Sequence, residues 1–324
     1  EKALQINPDE AELHRNLGVI YLLQGRFEEG WREYRWRWRV GDLQRPNVAA
    51  AIWQGEDLHG KRILLTAEQG LGDTLNFVRF ASVLRERGAQ TLVYCQPQLL
   101  ALLQNAPQLG PMYPNSLTLT QPVDVQCSLV DAADVLGVNE RTIPSLPAYI
   151  QPAQHLVQYW GAKFPKRVGL RRIGIAWQGN PDHQADMFRS IPLKYFEPLV
   201  ELDNVEFVSL QSGHGVEQMA HWRGTKPLLQ LGAEVDQTSG AFMDTAAIAK
   251  HLDLIITSDT SIAHLGGALG VPTWIALNYV PDWRWLLQRY DSPWYPSVRL
   301  FRQEKLGEWA PVFSKILAQL RNAP

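Results

Sequence analysis

The sequence predicts an α/β protein with two doubly wound parallel sheets, preceded by a pair of helices. From residue 61 onward, apolar strand segments alternate with helical segments, which is typical of parallel sheets that are covered on both faces. The strand–glycine loop order of ILLTAEQGLGD recurs in the second half as RRIGIAWQGNP. The first 40 residues differ, because their apolar side chains recur at helical spacing.

The composition is that of an ordinary globular protein and excludes several classes. Of the 324 residues 45% are apolar and 20% are charged, and 31 basic residues face 33 acidic ones. Such a chain lacks the basic field that sequence-independent nucleic-acid binding requires, so we predict no nucleic-acid partner. No apolar run approaches the roughly 18–20 residues of a membrane span. The two cysteines, Cys95 and Cys127, form no CxxC pair, and a reducing cytoplasm is the predicted location.

Residues 1–45 are predicted to form a helical hairpin around Gly25. The segments AELHRNLGVIYLLQG and RFEEGWREYRWRWRV have helical periodicity, and the N-L-G-x-x-Y and Q-G-x-x-x-E-G patterns resemble a tetratricopeptide repeat. One repeat cannot bury both of its faces, so we expect further repeats upstream. Two interpretations stay open: the hairpin caps the next domain, or it ends an array that docks a partner or acceptor. Its alternating arginines and aromatics favour packing over nucleic-acid binding.

A glycine loop joins the first predicted strand, Ile63 to Ala67, to a helix that ends at Gly88. Gly70 and Gly72 permit a tight turn and a close approach of a ligand to backbone N–H groups. The loop lacks the third glycine of a dinucleotide fingerprint and the Lys-Ser/Thr of a P-loop. Asp73 stands at the helix start, where it could cap the helix or act as a general base.

The clearest functional motif follows the strand Leu254 to Thr257. Ser258 to His264 reads S-D-T-S-I-A-H, and cap-type residues there open a small-residue helix. A helix start presents free N–H groups and a positive dipole end, so the motif predicts a diphosphate site. A plain helix cap without a ligand is the alternative. The candidate ligand-binding residues are Asp259, Thr260, Ser261 and His264.

Polar residues after two neighbouring strands complete the candidate site. Asn180 lies in a Gly-Asn turn, and Arg189 and Lys194 could offset the charge of a leaving group, although a surface ion pair is the alternative for both. Gln211 could line a base or ribose pocket. Parallel sheets bind ligands at the carboxyl edge of their strands, so we expect the site in a cleft between the two sheets.

Four segments together resemble the heptosyltransferase-type glycosyltransferases of family 9, in particular bacterial members fused to tetratricopeptide repeats. These segments are GLGDTLNFVRF, R-S-I-P-L, F-V-S-L-Q and S-D-T-S-I-A-H-L-x-x-A-L-G-V-P-T-W. The resemblance implies a GT-B fold, which consists of two Rossmann-like domains facing a cleft. It also implies inverting transfer without a metal or other cofactor, and the sequence contains no Asp-x-Asp triplet.

The resemblance also implies roles for individual residues. Asp73 would be the acceptor-side base, and Arg189 would contact phosphate. Asp259 would hold the donor sugar hydroxyls, while the amides of Thr260 and Ser261 would hold the diphosphate. Two residues depart from the family pattern: Ser261 stands where glycine is common, and Arg189 stands where the family has lysine. Both departures leave the identity of the donor open.

The sequence therefore predicts a glycosyltransferase that uses a nucleotide-diphosphate sugar and a protein or polysaccharide acceptor, the latter docked by the repeats. The alternatives are an inactive repeat scaffold that only binds, and an epimerase that acts on a nucleotide sugar without an acceptor. The last helix is expected to cross back to the first Rossmann-like domain. The predicted segments are the repeat at 1–45, the acceptor-side domain at 46–165, the nucleotide-sugar domain at 166–300 and the crossing helix at 301–324.

Overall fold

The computed structural model describes residues 2–41 and 43–322, and the chain divides into two compact units. The first unit extends to Leu146 and also takes in Asp282–Arg289. The second unit comprises Pro147–Pro281 and the chain from Tyr290 onward. Positions 1, 42, 323 and 324, which the predicted first and last segments include, lie outside the described residues. The predicted domain boundaries and the predicted cleft stay predictions.

The first unit opens with a helical hairpin, as the periodicity of the sequence predicts. Gly18 and Gly30 let the two long helices approach closely, because a Cβ on Gly18 would lie 2.5 Å from the Tyr34 nitrogen and one on Gly30 2.7 Å from Leu22 Cγ. That this hairpin is a tetratricopeptide repeat stays a prediction. The helices are α1 (Lys2–Ile6), α2 (Ala11–Leu23), α3 (Phe27–Tyr34) and α4 (Arg37–Val40).

The second predicted helix of the hairpin is divided in the structure. Helix α3 ends at Tyr34 and α4 begins at Arg37. Between them the backbone tightens into i→i+3 hydrogen bonds, from Trp36 N–H to Glu33 O (3.2 Å) and from Arg39 N–H to Trp36 O (2.8 Å). The aromatic side chains consequently divide into two groups. Phe27, Trp31 and Tyr34 are buried, whereas Trp36 and Trp38 are half-buried.

Five strands of the described first unit form one parallel sheet, in the order β1-β5-β2-β3-β4. The chain runs outward from β2 to β4 and then returns to the other side of β2, so the sheet reverses direction between β2 and β5. Such a switch point is where α/β sheets bind ligands. The strands are β1 (Ala51–Ile52), β2 (Arg62–Thr66), β3 (Gln90–Cys95), β4 (Met112–Pro114) and β5 (Val125–Ser128). The helices are α5 (Leu71–Phe77), α6 (Arg79–Glu86), α7 (Pro97–Gln104) and α8 (Leu129–Val135).

Within the described second unit, six strands form another parallel sheet, in the order β11-β10-β9-β6-β7-β8. This is the Rossmann strand order, with its switch point between β6 and β9. The strands are β6 (Arg171–Ala176), β7 (Val205–Ser209), β8 (Leu228–Leu229), β9 (Leu254–Ser258), β10 (Thr273–Leu277) and β11 (Val298–Arg302). The helices of this part of the chain are α9 (Gln154–Lys163), α10 (Asp186–Arg189), α11 (Met243–Ala249), α12 (Ser261–Leu269) and α13 (Trp309–Asn322), with 3₁₀ helices at Leu193–Glu201 and Val216–His221.

The last helix, α13, packs within the second unit, and its expected crossing to the first Rossmann-like domain stays a prediction. Its apolar stripe belongs to the core that also contains the side chains of β6, β7 and β9. The Phe313 ring meets the Phe196 ring edge-on, with centroids 4.6 Å apart. One segment of the second half of the chain, Asp282–Arg289, belongs to the first unit, and it includes a 3₁₀ helix at Trp283–Trp285. Among the described helices, none combines the length and apolar character of a membrane span.

Candidate functional site

The start of α12 lies at the switch point of the second sheet and carries two unsatisfied hydroxyl groups. Thr260 is the N-cap residue, with an extended backbone, and its side chain makes no capping hydrogen bond. Ser258 and Thr260 are 0% and 8% exposed, and neither hydroxyl oxygen has a hydrogen-bond partner among the described residues. An unsatisfied buried polar group costs about 1–3 kcal/mol, so this arrangement favours a ligand with several acceptor oxygens.

The other residues of the predicted diphosphate motif differ in their surroundings. Ser261 is the first residue of α12, and Asp259 is buried beside it at 7% exposure. His264 is also 7% exposed, and its Nδ1 lies 2.9 Å from the Tyr295 hydroxyl oxygen. The His264 ring is therefore buried in the second unit, and its ligand contact stays a prediction.

The segment between β6 and β7 carries the predicted basic residues, Arg189 in α10 and Lys194 in the following 3₁₀ helix. Arg189 Nε donates to Asp186 Oδ1 at 3.2 Å, and Asp186 also accepts from the Ser190 hydroxyl at 2.9 Å. Asn180 is exposed and caps a local turn by accepting from the Asp182 N–H at 3.1 Å. Lys194 is exposed, and its ammonium has no carboxylate partner in the described chain. Arg189 thus combines an internal ion pair with partial exposure, whereas Lys194 is open to solvent.

Gln211 has a structural role that the sequence did not indicate. Its Oε1 accepts from the backbone N–H groups of Trp177 and Gln178, at 2.9 and 3.0 Å. Its Nε2 donates to the carbonyl oxygens of Gln178 and His214, at 2.9 and 2.7 Å. Three of these bonds join the ends of β6 and β7, and the fourth, to His214, lies within the loop after β7. These bonds use the side-chain amide within the fold, and the contact of Gln211 with a base or ribose stays a prediction.

In the first unit, the glycine loop after β2 places Asp73 in the first turn of α5. Gly70 is the N-cap residue in extended conformation, and Gly72 lies in the same first turn as Asp73. Asp73 Oδ2 accepts from the Gly70 N–H at 2.9 Å, so Asp73 does cap the start of α5. Asp73 Oδ1 forms an ion pair with Arg284, and the Asp73 side chain remains 23% exposed.

Arg284 is the residue at this site that sequence reasoning missed. It lies in the P-D-W-R-W segment of residues 281–285. Trp283 and Trp285 are buried, and so is Arg284 between them in the chain, with a side-chain exposure of 4%. Burial by itself lowers the pKa of Arg284, and the carboxylates of Asp282 and Asp73 outweigh burial and raise it. Arg284 is therefore a permanent cation. The only sign of its burial in the sequence is its position between two tryptophans.

A second buried arginine, Arg37, joins the hairpin to the switch point of the first sheet. Arg37 Nε and Nη2 donate to the two oxygens of Glu68 at 2.7 and 2.9 Å, and Nη2 also donates to Asp131 Oδ1 at 2.6 Å. Glu68 follows β2 and Asp131 lies in α8, directly after β5. Burial by itself lowers the pKa of Arg37, but Glu68 and Asp131 together raise it.

One cavity of about 310 Å³ lies beside α4 and β1, away from Asp73. Its walls include Trp36, Trp38 and Trp53. The Trp36 ring is stacked on His14, with centroids 3.9 Å apart, and the Arg45 guanidinium carbon lies 3.9 Å from the Trp38 ring centroid. His14 and Arg45 thus cover the Trp36 and Trp38 rings. Among the described residues, no group of three or more His, Cys, Asp or Glu side chains is placed to hold a metal ion.

Comparison with solved structures shows which fold this is. A glycosyltransferase of family 9 from Veillonella parvula DSM 2008 superposes with a TM-score of 0.58 at 13% identity, over 83% of this chain and 97% of that chain. The ADP-heptose lipopolysaccharide heptosyltransferase II of E. coli gives 0.51 at 12% identity, over 81% and 100%. The E. coli heptosyltransferase WaaC, bound to ADP-2-deoxy-2-fluoro heptose, gives 0.50 at 10% identity, over 81% and 100%. The chain therefore has the mixed α/β fold, with two parallel sheets, of the family 9 glycosyltransferases.

At the level of sequence, the chain is similar to Protein FlbA of Caulobacter vibrioides (strain ATCC 19089 / CIP 103742 / CB 15). The two are 27% identical over 335 aligned residues, which cover 94% of this chain and 54% of FlbA. The chain thus spans about half the length of this curated relative. No family model matches the sequence.

Proposed function

We propose that this protein is a glycosyltransferase that moves a sugar from a nucleotide-diphosphate sugar to an acceptor hydroxyl, with inversion and without a metal ion. The supporting observation is the start of α12, where the Ser258 and Thr260 hydroxyls are buried without partners at the switch point of a Rossmann sheet. A diphosphate would supply the missing acceptor oxygens, and its negative charge would meet the positive end of the helix.

In this proposal the reaction is one displacement at the anomeric carbon. The acceptor oxygen forms a bond to that carbon while the bond from the carbon to the diphosphate oxygen breaks. Asp73 takes the acceptor proton, and the departing electron pair stays on the diphosphate. Backbone N–H groups at Thr260 and Ser261 stabilise the charge that develops there, as preorganised donors do in other transferases. Arg189 and Lys194 are the cations of the second unit that we assign to the same task.

The donor class that we propose to test first is an ADP-linked sugar. The fold neighbours include a protein described as an ADP-heptose heptosyltransferase and one bound to an ADP-heptose analogue. The acceptor in this proposal is a protein or a polysaccharide, and the hairpin is the end of a tetratricopeptide array that docks it. We propose a cytoplasmic location, since Cys95 and Cys127 are buried as free thiols, a state that a reducing compartment maintains.

A binding experiment tests the donor site. We expect ADP or an ADP-sugar to raise the melting temperature, because a hundredfold excess over the dissociation constant stabilises the folded state by about 2.7 kcal/mol. Ser258→Ala and Thr260→Val should each weaken that shift. Ser297→Ala is the matched control, because it also removes a buried hydroxyl without a partner, but from the residue directly before β11, at the amino edge of the sheet. Equal shifts in all four proteins, or no shift with ADP, GDP or UDP compounds, would contradict the proposal.

A scaffold that binds a nucleotide sugar without turnover is the second candidate. The observation that favours it is that Gly70 and Arg284 already occupy one position on each Asp73 oxygen. The Asp73→Asn variant separates the two functions when release of the nucleoside diphosphate is measured. A transferase loses this release and keeps donor binding, whereas a scaffold releases no product before or after the substitution.

A further inference from the structure

We propose that Arg284 is a positioning residue for Asp73, and that the helical hairpin formed by α2 and α3 holds Arg284 in place. The inference rests on the proposed glycosyl transfer, in which Asp73 is the base. It assigns to the hairpin a part in building the acceptor side of the site, in addition to any docking role. Four sets of contacts within the first unit support it.

The first set fixes the carboxylate itself. The Gly70 N–H donates to Asp73 Oδ2, and Arg284 Nη2 donates to Oδ1, so both oxygens are oriented. A carboxylate has about four acceptor positions, and these two bonds leave room on each oxygen. The Asp73 side chain is 23% exposed, so an acceptor hydroxyl can reach those positions. Asp73 is thus held in one orientation and still available to accept a proton.

The second set fixes Arg284. Its Nη1 donates to Asp282 Oδ1 at 2.8 Å, and the same oxygen accepts from the Arg284 N–H at 2.9 Å. The guanidinium carbon lies 4.3 Å from the Trp283 ring centroid and 5.1 Å from that of Phe77. Phe77 is the last residue of α5, and Asp73 lies in the first turn of the same helix. Arg284 therefore contacts α5 at both of its ends and has little freedom to move.

The third set joins this segment to the hairpin. Trp283 meets Trp31 edge-to-face, with centroids 5.3 Å apart and planes at 87°, and meets Tyr34 at 6.2 Å and 61°. Trp31 is itself anchored, because its Nε1 donates to the Val138 carbonyl at 2.8 Å. Edge-to-face pairs are specific in geometry. The position of Trp283, and of Arg284 beside it, thus depends on α3.

The fourth set holds the other side of the Asp73 loop. Glu68 accepts two hydrogen bonds from Arg37, and Gln69 Nε2 donates to the Tyr34 hydroxyl at 2.9 Å. Glu68 and Gln69 directly precede Gly70, whose N–H binds Asp73. Tyr34 therefore contacts both the loop and Trp283, and the hairpin constrains Asp73 from two directions.

The experiment compares Arg284→Gln, Arg284→Lys and Trp283→Phe with the wild-type chain and with Arg35→Gln. Arg35 is the matched control, because this hairpin arginine pairs with Asp134 in α8 and not with the Asp73 loop. Three quantities are measured for each protein: hydrogen exchange of the amides at 68–77, the dissociation constant for the donor, and kcat for release of the nucleoside diphosphate. Exchange tests the positioning without any assumption about activity.

We expect Arg284→Gln to speed exchange at 68–77 and to lower kcat by about 100-fold, since small displacements of a reacting group have effects of that size. The donor dissociation constant should stay within about twofold of the wild-type value. Arg284→Lys keeps the charge and should recover part of kcat, although lysine lacks the fork geometry of arginine. Trp283→Phe keeps both charges and should give an intermediate loss, whereas Arg35→Gln should match the wild type.

Two results would overturn the inference. One is wild-type exchange and wild-type kcat in Arg284→Gln. The other is a loss of kcat, donor binding and melting temperature together in every variant, including Arg35→Gln, since that would be a general folding defect. A wild-type chain that binds a donor but releases no product would refute the proposed transfer instead. Faster exchange at 68–77 in Arg284→Gln would then still support the positioning of Asp73 by Arg284.

Discussion

Replacing Arg37 by methionine should destabilise the first unit by about 3–5 kcal/mol, the usual effect of leaving a buried carboxylate without its counter-ion. The side chains of Arg37 and Glu68 are each 3% exposed, and that of Asp131 is 11% exposed. Water therefore cannot solvate the two carboxylates after the guanidinium is removed. Methionine has a similar length and keeps the apolar contacts of the arginine stem, so the change isolates the charge.

The structure indicates which carboxylate accounts for most of this effect. Asp131 retains the Trp38 Nε1 donor at 2.9 Å and the more distant Arg45 at 3.4 Å. Glu68 retains only Gln69 Nε2, at 3.1 Å, among its side-chain partners in the described residues. Glu68→Gln added to Arg37→Met removes the stranded charge, so the double variant should recover about 1–3 kcal/mol of the loss.

Urea unfolding followed by tryptophan fluorescence measures these differences, with the transition of the first unit fitted separately, because a chain of two units need not unfold in one step. Arg35→Met is the control, since Arg35 is 54% exposed and its pair with Asp134 should contribute no more than about 1 kcal/mol. The reasoning is refuted if Arg37→Met costs less than about 1 kcal/mol. It is also refuted if the double variant is no more stable than the single one.

Three further predictions concern other parts of the chain. A Cβ on Gly267 would lie 2.5 Å from the Tyr295 ring, so Gly267→Ala should cost about 1–3 kcal/mol in thermal unfolding, and an unchanged melting temperature would contradict this. Burial raises the pKa of Cys95 to about 12, so at pH 8 about one thiol in ten thousand is ionised. Mass spectrometry should therefore find Cys95 alkylated only after denaturation. Burial by itself lowers the pKa of His14, but Glu33, the Pro8 carbonyl and Asp9 together outweigh burial and raise it, so the stabilising contribution of His14 is complete below about pH 6.5 and is lost as the pH rises. Between about pH 6 and 8 the wild type should lose more stability than His14→Gln, and equal losses would argue against this pairing.

The strands and their loop–helix junctions could be predicted because their signals are local. The predicted strand from Ile63 to Ala67 is β2, and the predicted strand from Leu254 to Thr257 is β9. Both are apolar runs that end at glycines or cap-type residues, and such runs identify a strand without knowledge of its neighbours. The same holds for the N-terminal helices, although their i→i+3 break near Trp36 left no mark in the periodicity.

The contacts that the sequence did not predict join residues that are distant in sequence. Arg284 and Asp73 are 211 residues apart, and their pairing depends on where the Asp282–Arg289 segment packs. Three of the four bonds of Gln211 depend on β6 and β7 being adjacent. The stripe of apolar side chains on α13 likewise predicts that one face is buried, but it does not specify the sheet that buries it.

The assignment of Asp282–Arg289 to the first unit has a consequence for dissecting the protein. The backbone passes from one unit to the other three times, after Leu146, after Pro281 and after Arg289. A protease that cuts only at the first crossing would leave residues 282–289 on the second fragment, so residues 1–146 would stay attached only through non-covalent contacts within the first unit. Expressing residues 147–324 alone would separate Trp283 and Trp285 from the surroundings that bury them and expose two indoles, a recognised cause of aggregation. To express the second unit alone, the segment 282–289 should therefore be replaced by a short polar linker.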